Sequence, residues 1–126
     1  MQEKELYDQG MKVRREVLGA TYVEKAVASA DDFNRHWQEY VTKHSWGAIW
    51  TRPGLPRKTR SMLNLAMLAA TGHPEELKLH LRGAITNGVT KDEIAEIFLQ
   101  VGAYAGAPSA LEAFRAAKEV FAEQKT

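Results

Sequence analysis

Apolar residues recur at intervals of three and four along almost the whole 126-residue chain, which is the spacing of one face of an α-helix. No segment of useful length alternates apolar and polar residues as a half-buried strand does. Glycine and proline interrupt the pattern at short intervals and divide it into separate helices. The sequence therefore predicts an all-α fold of six or seven helices with short turns, in a single domain over residues 1–126.

Several residues mark where these helices start and stop. Gly19 is a plausible helix end, Asp31 suits an N-cap, and Pro74 suits a first helical turn. Thr90 and Glu93 form the pattern of a capping box, in which each side chain bonds a free backbone N–H group. The expected helices are about 3–18, 21–30, 32–49, 57–71, 74–87, one following Thr90 as far as Ala105, and 108–123.

The same periodicity predicts which helix faces share an environment. The continuous face expected in the third helix consists of Phe33, Trp37, Tyr40, Val41 and His44. The fourth helix is apolar around most of its girth, which predicts burial on several sides and suggests a subunit interface. The faces expected in the last two helices are Ile94, Ile97, Phe98, Val101, Tyr104 and Ala105, then Leu111, Phe114, Ala117, Val120 and Phe121.

The composition argues against several classes of function. The chain has no cysteine, so it can form no disulfide, zinc–thiolate site, thiolate nucleophile or redox dithiol. A formal net charge of +1 is not the strong basic excess of a dedicated nucleic-acid binder. There is no apolar run long enough to span a bilayer and no signal-sequence pattern, so we expect no membrane partner and a cytoplasmic location.

Histidines and tryptophans cluster in the middle of the chain. The apolar stripe expected on the fifth helix consists of Leu77, Leu81, Ala84 and Ile85. His80 lies beside it, where it can act as a general acid or base or serve as a structural histidine. Trp46 and Trp50 can wall a ligand pocket, although buried aromatic residues more often belong to a core. His73 and Glu76 are metal-capable types near His80, but their spacing is not that of a paired ligand motif, and we predict no metal site.

Cations are also densest in this part of the sequence. Arginine presents a rigid fork of donors that suits carboxylates and phosphates, and cations at a helix N-terminus oppose its dipole. This local conflict favours an anion site over a merely solvated helix start. We select Arg52, Arg60 and Arg82 as anion-binding candidates and expect Arg57 and Lys58 to be exposed.

Three segments carry a family resemblance: 50–55 (WTRPGL), 60–64 (RSMLN) and 80–84 (HLRGA). With the sequence around them they resemble the carboxymuconolactone decarboxylase family, over nearly the whole chain. The resemblance implies an AhpD-like helical bundle. Disulfide reductases of that superfamily carry a CxxC pair, and His73 and Glu76 stand at its positions here, so thiol peroxidase or disulfide reductase chemistry is impossible.

The resemblance implies decarboxylation of 4-carboxymuconolactone to 3-oxoadipate enol-lactone, in protocatechuate catabolism and without a cofactor. Such an enzyme must hold a dianion, stabilise an oxyanion and protonate a carbon. We expect Arg52 or Arg60 to bind the side-chain carboxylate, and Arg82 to share in anion binding or to orient its neighbours. We expect His80 to donate the proton or to steady the enolate. Trp46 and Trp50 would exclude water.

Two alternative hypotheses remain at this point. One is another cofactor-free enzyme of the same fold that acts on a different lactone or carboxylic acid. The other is a non-catalytic oligomeric protein that binds anions. The apolar fourth helix and the sixth helix, rich in alanine and glycine, fit a symmetric homo-oligomer, and the resemblance implies a hexamer. Trp46 and the N-terminal helix are candidates to line the pocket of a neighbouring subunit.

Overall fold

The computed structural model describes residues 2–124, which form seven α-helices and one π-helical segment and include no strand. The π-helical segment, Val41–Ile49, continues directly from α3. The predicted all-α class is confirmed, and outside the third helix every predicted boundary lies within two residues of the observed one. The helices are α1 (Glu3–Leu18), α2 (Ala20–Ala28), α3 (Arg35–Tyr40), α4 (Arg57–Ala70), α5 (Pro74–Thr86), α6 (Lys91–Ala105) and α7 (Ala107–Glu123).

Local sequence explains several of these boundaries. The Thr90 hydroxyl accepts the Glu93 N–H at 3.1 Å, and the Glu93 carboxylate accepts the Thr90 N–H at 2.9 Å, which confirms the capping box. Gly19 and Gly106 adopt φ values of 92° and 108°, which other residues rarely adopt, and they separate α1 from α2 and α6 from α7. Pro74 begins α5 as predicted.

The chain forms two compact units, one ending at Pro56 and one beginning at Arg57. The single domain expected over residues 1–126 stays a prediction. Among residues 2–124, the longest helices are too short or too polar to cross a lipid bilayer.

In the N-terminal unit, α1 packs closely against the π-helical segment. A Cβ on Gly10 would collide with the carbonyl oxygen of Thr42, and a Cβ on Gly47 would collide with that of Leu6. These two glycines therefore let the two backbones touch. The buried apolar cluster of this unit consists of Val13, Val17, Trp46 and Trp50.

The interior of the N-terminal unit also contains a charge. Arg14 is only 5% exposed, and its Nη1 donates hydrogen bonds to Gln38 Oε1 at 3.1 Å and to Thr42 Oγ1 at 3.2 Å. A buried guanidinium requires such partners, because losing its hydration is costly. This unit is thus held together partly by polar contacts.

The expected helix over residues 32–49 is wrong in two respects. It begins only at Arg35, because the Asp31 carboxylate accepts the N–H groups of Phe33 and Asn34 and forms a separate turn ahead of the helix. From Val41 it winds as a π-helix, with Trp50 N–H bonded to the Ser45 carbonyl five residues earlier.

The buried face of this region differs from the one expected. Phe33, Trp37 and Tyr40 are 97%, 59% and 55% exposed in the single chain. Thr42 and Trp46 are buried instead, on the side that meets α1. The continuous face expected from the α-helical period is therefore not the packing face.

In the C-terminal unit, α4 to α7 enclose one apolar cluster. The stripe expected on α5 is confirmed, since Leu77, Leu81 and Ala84 are at most 1% exposed. Phe98 of α6 is completely buried and meets Phe114 of α7 edge to face, with ring centroids 5.6 Å apart. The cluster consists of Leu65, Ala69, Leu77, Leu81, Ala84, Val89, Ile94, Phe98, Val101, Ala113, Ala116, Ala117 and Val120.

Some residues expected inside this unit lie on its surface. Tyr104 and Leu111 are 85% and 54% exposed, because they lie where α6 ends and α7 begins, beyond the reach of the packed core. Leu63 and Met67 of α4 are also about half exposed, so within this chain α4 is buried along one side and not around its girth.

Candidate active site

Helix α5 carries His80 and Arg82 on different faces. Residues two apart on an α-helix point about 200° apart, so these two side chains diverge. Arg82 turns toward α7, where its Nε donates to Glu123 Oε2 at 2.9 Å and its Nη2 to Oε1 at 2.7 Å. This two-pronged pair raises the pKa of Arg82 and lowers that of Glu123. The geometry favours a structural role for Arg82 over anion binding.

His80 is partly buried. Of its neighbours in the chain, Leu79 is 8% exposed and Leu81 is completely buried. Burial lowers the pKa of His80 to about 4, because the interior disfavours the charged imidazolium. His80 is therefore a neutral imidazole near pH 7, with one N–H donor and one acceptor nitrogen. Such a group can donate a hydrogen bond to an oxyanion but carries no extra proton to release.

Arg60 lies in the first turns of α4 and is partly buried. Beside it, Ser61 is 1% exposed, and its hydroxyl oxygen accepts a hydrogen bond from Asn87 Nδ2 at 2.9 Å. Asn87 caps the end of α5, so this bond joins the start of α4 to the end of the helix that carries His80. Sequence patterns did not identify this bond, because a contact across 26 residues leaves no local signal.

The neighbouring cations differ from expectation. Arg57 and Lys58 were expected to be exposed, but both are partly buried. Lys58 Nζ lies 3.0 Å from Glu93 Oε2 of α6, and this pair helps to lower the pKa of Glu93. The pair with Glu93 accounts for the placement of Lys58, whose side chain is still 42% exposed.

Trp46, Trp50 and Arg52 belong to the N-terminal unit. The two indoles stack, with ring centroids 4.9 Å apart and planes inclined by 17°, and they are 5% and 7% exposed. Within this unit they act as core residues, and their role as pocket walls stays a prediction. Arg52 is exposed in the turn that follows, where its backbone N–H bonds the Ile49 carbonyl.

The predicted site residues thus divide between the units. Arg60, His80 and Arg82 belong to the C-terminal unit, and within it the structure separates Arg82 from His80. Across residues 2–124 the structure has no group of three or more histidines and carboxylates that could hold a metal ion. His73 and Glu76 are both exposed at the start of α5.

A groove of about 530 Å³ lies between α4 and α6. Apolar residues such as Met62, Leu63 and Ile97 form its walls, but three carboxylates, Asp92, Glu93 and Glu96, also line it. Lys58 neutralises Glu93, and the remaining charges of Asp92 and Glu96 disfavour a dianion. The groove is therefore unsuited to a dicarboxylate, although its size suits a small ligand.

Comparisons with known proteins give the family. A model described as "Carboxymuconolactone decarboxylase family" matches residues 35–119, which is more than half of the chain. A 4-carboxymuconolactone decarboxylase from Acinetobacter baylyi is 45% identical over 121 residues, which cover 96% of this chain and 90% of that protein. The chain belongs to the carboxymuconolactone decarboxylase family.

Other relatives in this family differ in their named substrate. The nitrosuccinic acid decarboxylase of Metarhizium robertsii is 49% identical over 110 residues, covering 87% of this chain and 77% of that protein. A 4-carboxymuconolactone decarboxylase of Pseudomonas putida is 47% identical over 47 residues, covering 37% of this chain and 98% of that sequence. Decarboxylation is what these named relatives have in common.

Proposed function

We propose that this family member is a carboxy-lyase that converts 4-carboxymuconolactone to 3-oxoadipate enol-lactone in the protocatechuate branch of aromatic catabolism. The observation that carries the proposal is the 45% identity, across 96% of the chain, to a protein named for action on that lactone. The thiol chemistry of disulfide reductases is excluded because the sequence contains no cysteine.

The proposed reaction needs no cofactor because the substrate contains its own electron sink. The departing carboxylate is attached to a saturated ring carbon. This carbon is next to a ring double bond that is conjugated with the lactone carbonyl. When the C–C bond to CO2 breaks, its electron pair spreads onto that carbonyl oxygen as a dienolate. A proton then adds to the ring carbon next to the carbonyl, which completes the enol-lactone.

Each candidate residue has a role in this scheme. His80, neutral at pH 7, donates a hydrogen bond to the developing oxyanion, and its pKa of about 4 supports this role over that of the carbon's proton donor. Arg60 binds the remaining side-chain carboxylate, with Arg52 as the alternative for the same task. Arg82 pairs with Glu123 and so holds α5 against α7, which makes it a positioning residue for the helix that carries His80.

A second candidate substrate is nitrosuccinic acid, because a relative named for it is 49% identical over 110 residues. Its nitro group is attached to the carbon next to one carboxyl group and can accept the electron pair left by CO2, as the lactone carbonyl does. Both molecules are dianions after ionisation. The same arginine and imidazole roles therefore serve either substrate.

Assays with the purified protein distinguish these substrates. We expect it to consume 4-carboxymuconolactone, followed by ultraviolet absorbance and CO2 release, with kcat/KM at least roughly tenfold above that for nitrosuccinate. His80→Gln removes the oxyanion donor and should lower kcat by about 10²- to 10³-fold. His73→Gln, at an exposed histidine at the start of the same helix, is the matched control and should retain full activity.

Several outcomes would overturn parts of this scheme. Faster turnover of nitrosuccinate would reverse the order of the two substrates. Binding of both dianions without release of CO2 would favour the non-catalytic anion-binding hypothesis. Near-normal turnover by His80→Gln would exclude His80 from catalysis while leaving the reaction itself in place.

We also propose that the protein is a cytoplasmic homo-oligomer, with a hexamer as the expected form. Exposed apolar side chains on several helices support association, because surfaces of this kind are commonly covered by a partner. Examples are Leu63 and Met67 on α4 and Leu99 on α6, each about half exposed. A light-scattering mass equal to one chain would contradict the proposal.

A further inference from the structure

A second groove, of about 440 Å³, runs between α6 and α7 of the C-terminal unit. None of the residues assigned to catalysis or substrate binding lines it, and its volume lies in the range of small-molecule sites. Phenylalanine, isoleucine and alanine dominate its surface. The lining residues are Lys91, Ile94, Ala95, Phe114, Ala117, Lys118, Phe121 and Ala122.

Two lysines line this groove, one at its end beside Phe121 and one near its middle. Lys91, the first residue of α6, holds its ammonium group 4.7 Å from the centre of the Phe121 ring. Lys118 lies three residues before Phe121 on α7 and lines the same groove. No carboxylate lines the groove, and neither lysine forms an ion pair with another of the residues 2–124. Two positive charges therefore meet an apolar surface without a neutralising acid.

The other end of the groove is apolar and firmly supported. Phe114 lies seven residues before Phe121, which is about 10 Å along the helix. Its ring packs against the fully buried Phe98, so this end of the groove rests on the core. Lys118 lies four residues after Phe114 and three before Phe121, so its charge is near the middle of the groove, and the surface from there to Phe114 is apolar.

The opposite face of α6 shows that this charge distribution is specific to one side. There, Asp92, Glu93 and Glu96 line the groove shared with α4, whereas Lys91 faces the groove shared with α7. An anionic ligand is repelled by the first groove and attracted by the second. The two grooves differ in sign although both have apolar walls.

From this arrangement we propose that the α6–α7 groove binds an amphiphilic monocarboxylate, of the class of medium-chain fatty acids. The carboxylate lies between Lys91 and Lys118, and the alkyl chain runs along the groove toward Phe114. Apolar contact supplies most of the affinity, and the lysines select the charged end, because ion pairs near a surface contribute modestly. This ligand is a monoanion with a long apolar tail, which separates it from the compact dianions of the proposed reaction.

Calorimetric titration of the full-length protein with decanoate tests the proposal, with decanol as the uncharged probe. We expect saturable binding of decanoate and at least tenfold weaker binding of decanol. The double variant Lys91→Gln/Lys118→Gln should weaken decanoate binding about tenfold and leave decanol binding unchanged. Lys12→Gln, at an exposed lysine of α1, is the matched control and should bind decanoate as the unaltered protein does.

Each contrary result identifies a different error. Equal decanoate affinity in the double variant and the unaltered protein would place the ligand elsewhere and overturn the proposal. No saturable binding, together with a fall in light-scattering mass on Phe121→Glu substitution, would show that a second copy of the chain covers the groove, which also overturns it. Decarboxylase activity should be the same in the double variant, so the outcome is independent of the proposed function.

Discussion

The C-terminal unit buries thirteen apolar residues in one cluster, whereas the corresponding cluster of the N-terminal unit contains four. The N-terminal unit compensates with contacts of another kind: Gly10 and Gly47 bring two helix backbones together, and the buried Arg14 is hydrogen-bonded by Gln38 and Thr42. One unit thus depends mainly on apolar burial, and the other on close backbone packing with internal polar contacts. The difference predicts that they respond to different substitutions.

Removing a large core side chain should have the largest effect, and the effect should belong to the C-terminal unit. Phe98→Ala deletes a completely buried ring that supports Phe114, and we expect it to lower the free energy of unfolding by about 3–5 kcal/mol. Chemical denaturation measures the loss. Leu99→Ala, at the next position and 58% exposed, is the matched control and should cost less than about 1 kcal/mol.

Hydrogen exchange shows where that loss occurs. Amides of α4 to α7 should exchange faster in Phe98→Ala, and those of α1 should change less. Equal acceleration in both units would mean that the apolar cluster stabilises the whole chain, and the contrast drawn above would fail.

The same contrast explains what the sequence could and could not predict. In the C-terminal unit, burial follows the α-helical period, so Leu77, Leu81 and Ala84 could be assigned to the core from their spacing. Pattern also located the Thr90–Glu93 capping box, because all of its determinants lie within four residues.

In the N-terminal unit the period was misleading. Trp37, which precedes the π-helical segment, is exposed, and the winding from Val41 rotates later residues away from their α-helical positions, with Thr42 buried against α1. Nothing in the local sequence demands that winding. It accompanies a backbone contact between Gly10 and Thr42, which are distant in the chain, and the sequence alone does not pair them.

The candidate site shows the same limit. Residue chemistry and the family resemblance together indicated His80 and the arginines, but not their partners. Arg82 pairs with Glu123, 41 residues later, and such a distance leaves no sequence signal. The burial that lowers the pKa of His80 depends on the packing around α5 and could not be read from its neighbours in the chain.

The second largest effect on stability concerns pH. A fall in pH should destabilise the C-terminal unit, because His80 becomes protonated there. Its pKa falls from the ordinary 6.5 to about 4 on folding, so the unfolded chain binds the proton more readily. The stability linked to this group is fully present above pH 6.5 and is lost as the pH falls toward 4, by about 3 kcal/mol in total.

Denaturation curves measured from pH 7 to pH 4 test this expectation. The unaltered protein should lose stability more steeply than His80→Gln over that interval, and the difference between the two slopes isolates the histidine from the carboxylates common to both. Parallel curves would show that His80 is protonated as easily in the folded protein as in the unfolded chain.

The smallest of the three effects concerns the glycine contact and tests the N-terminal unit directly. Gly10→Ala and Gly102→Ala both replace a glycine inside a helix. Because alanine makes the unfolded chain less flexible, each substitution should by itself raise the free energy of unfolding by up to about 1 kcal/mol. At Gly102 the new methyl group meets only the Ala110 methyl, at 3.1 Å, where small shifts suffice. At Gly10 it meets the backbone carbonyl of Thr42, which moves only if the π-helical segment moves.

We therefore expect Gly10→Ala to lower the free energy of unfolding by about 1–3 kcal/mol, and Gly102→Ala to change it by less than about 1 kcal/mol in either direction. Because the gain in helix propensity is common to both, the difference between them measures the steric cost alone. Faster hydrogen exchange in α1 and residues 41–49 should accompany the loss in Gly10→Ala. If both variants were equally stable, the backbone contact would be too adaptable to hold the N-terminal unit together, and the Trp46–Trp50 cluster would have to account for its stability.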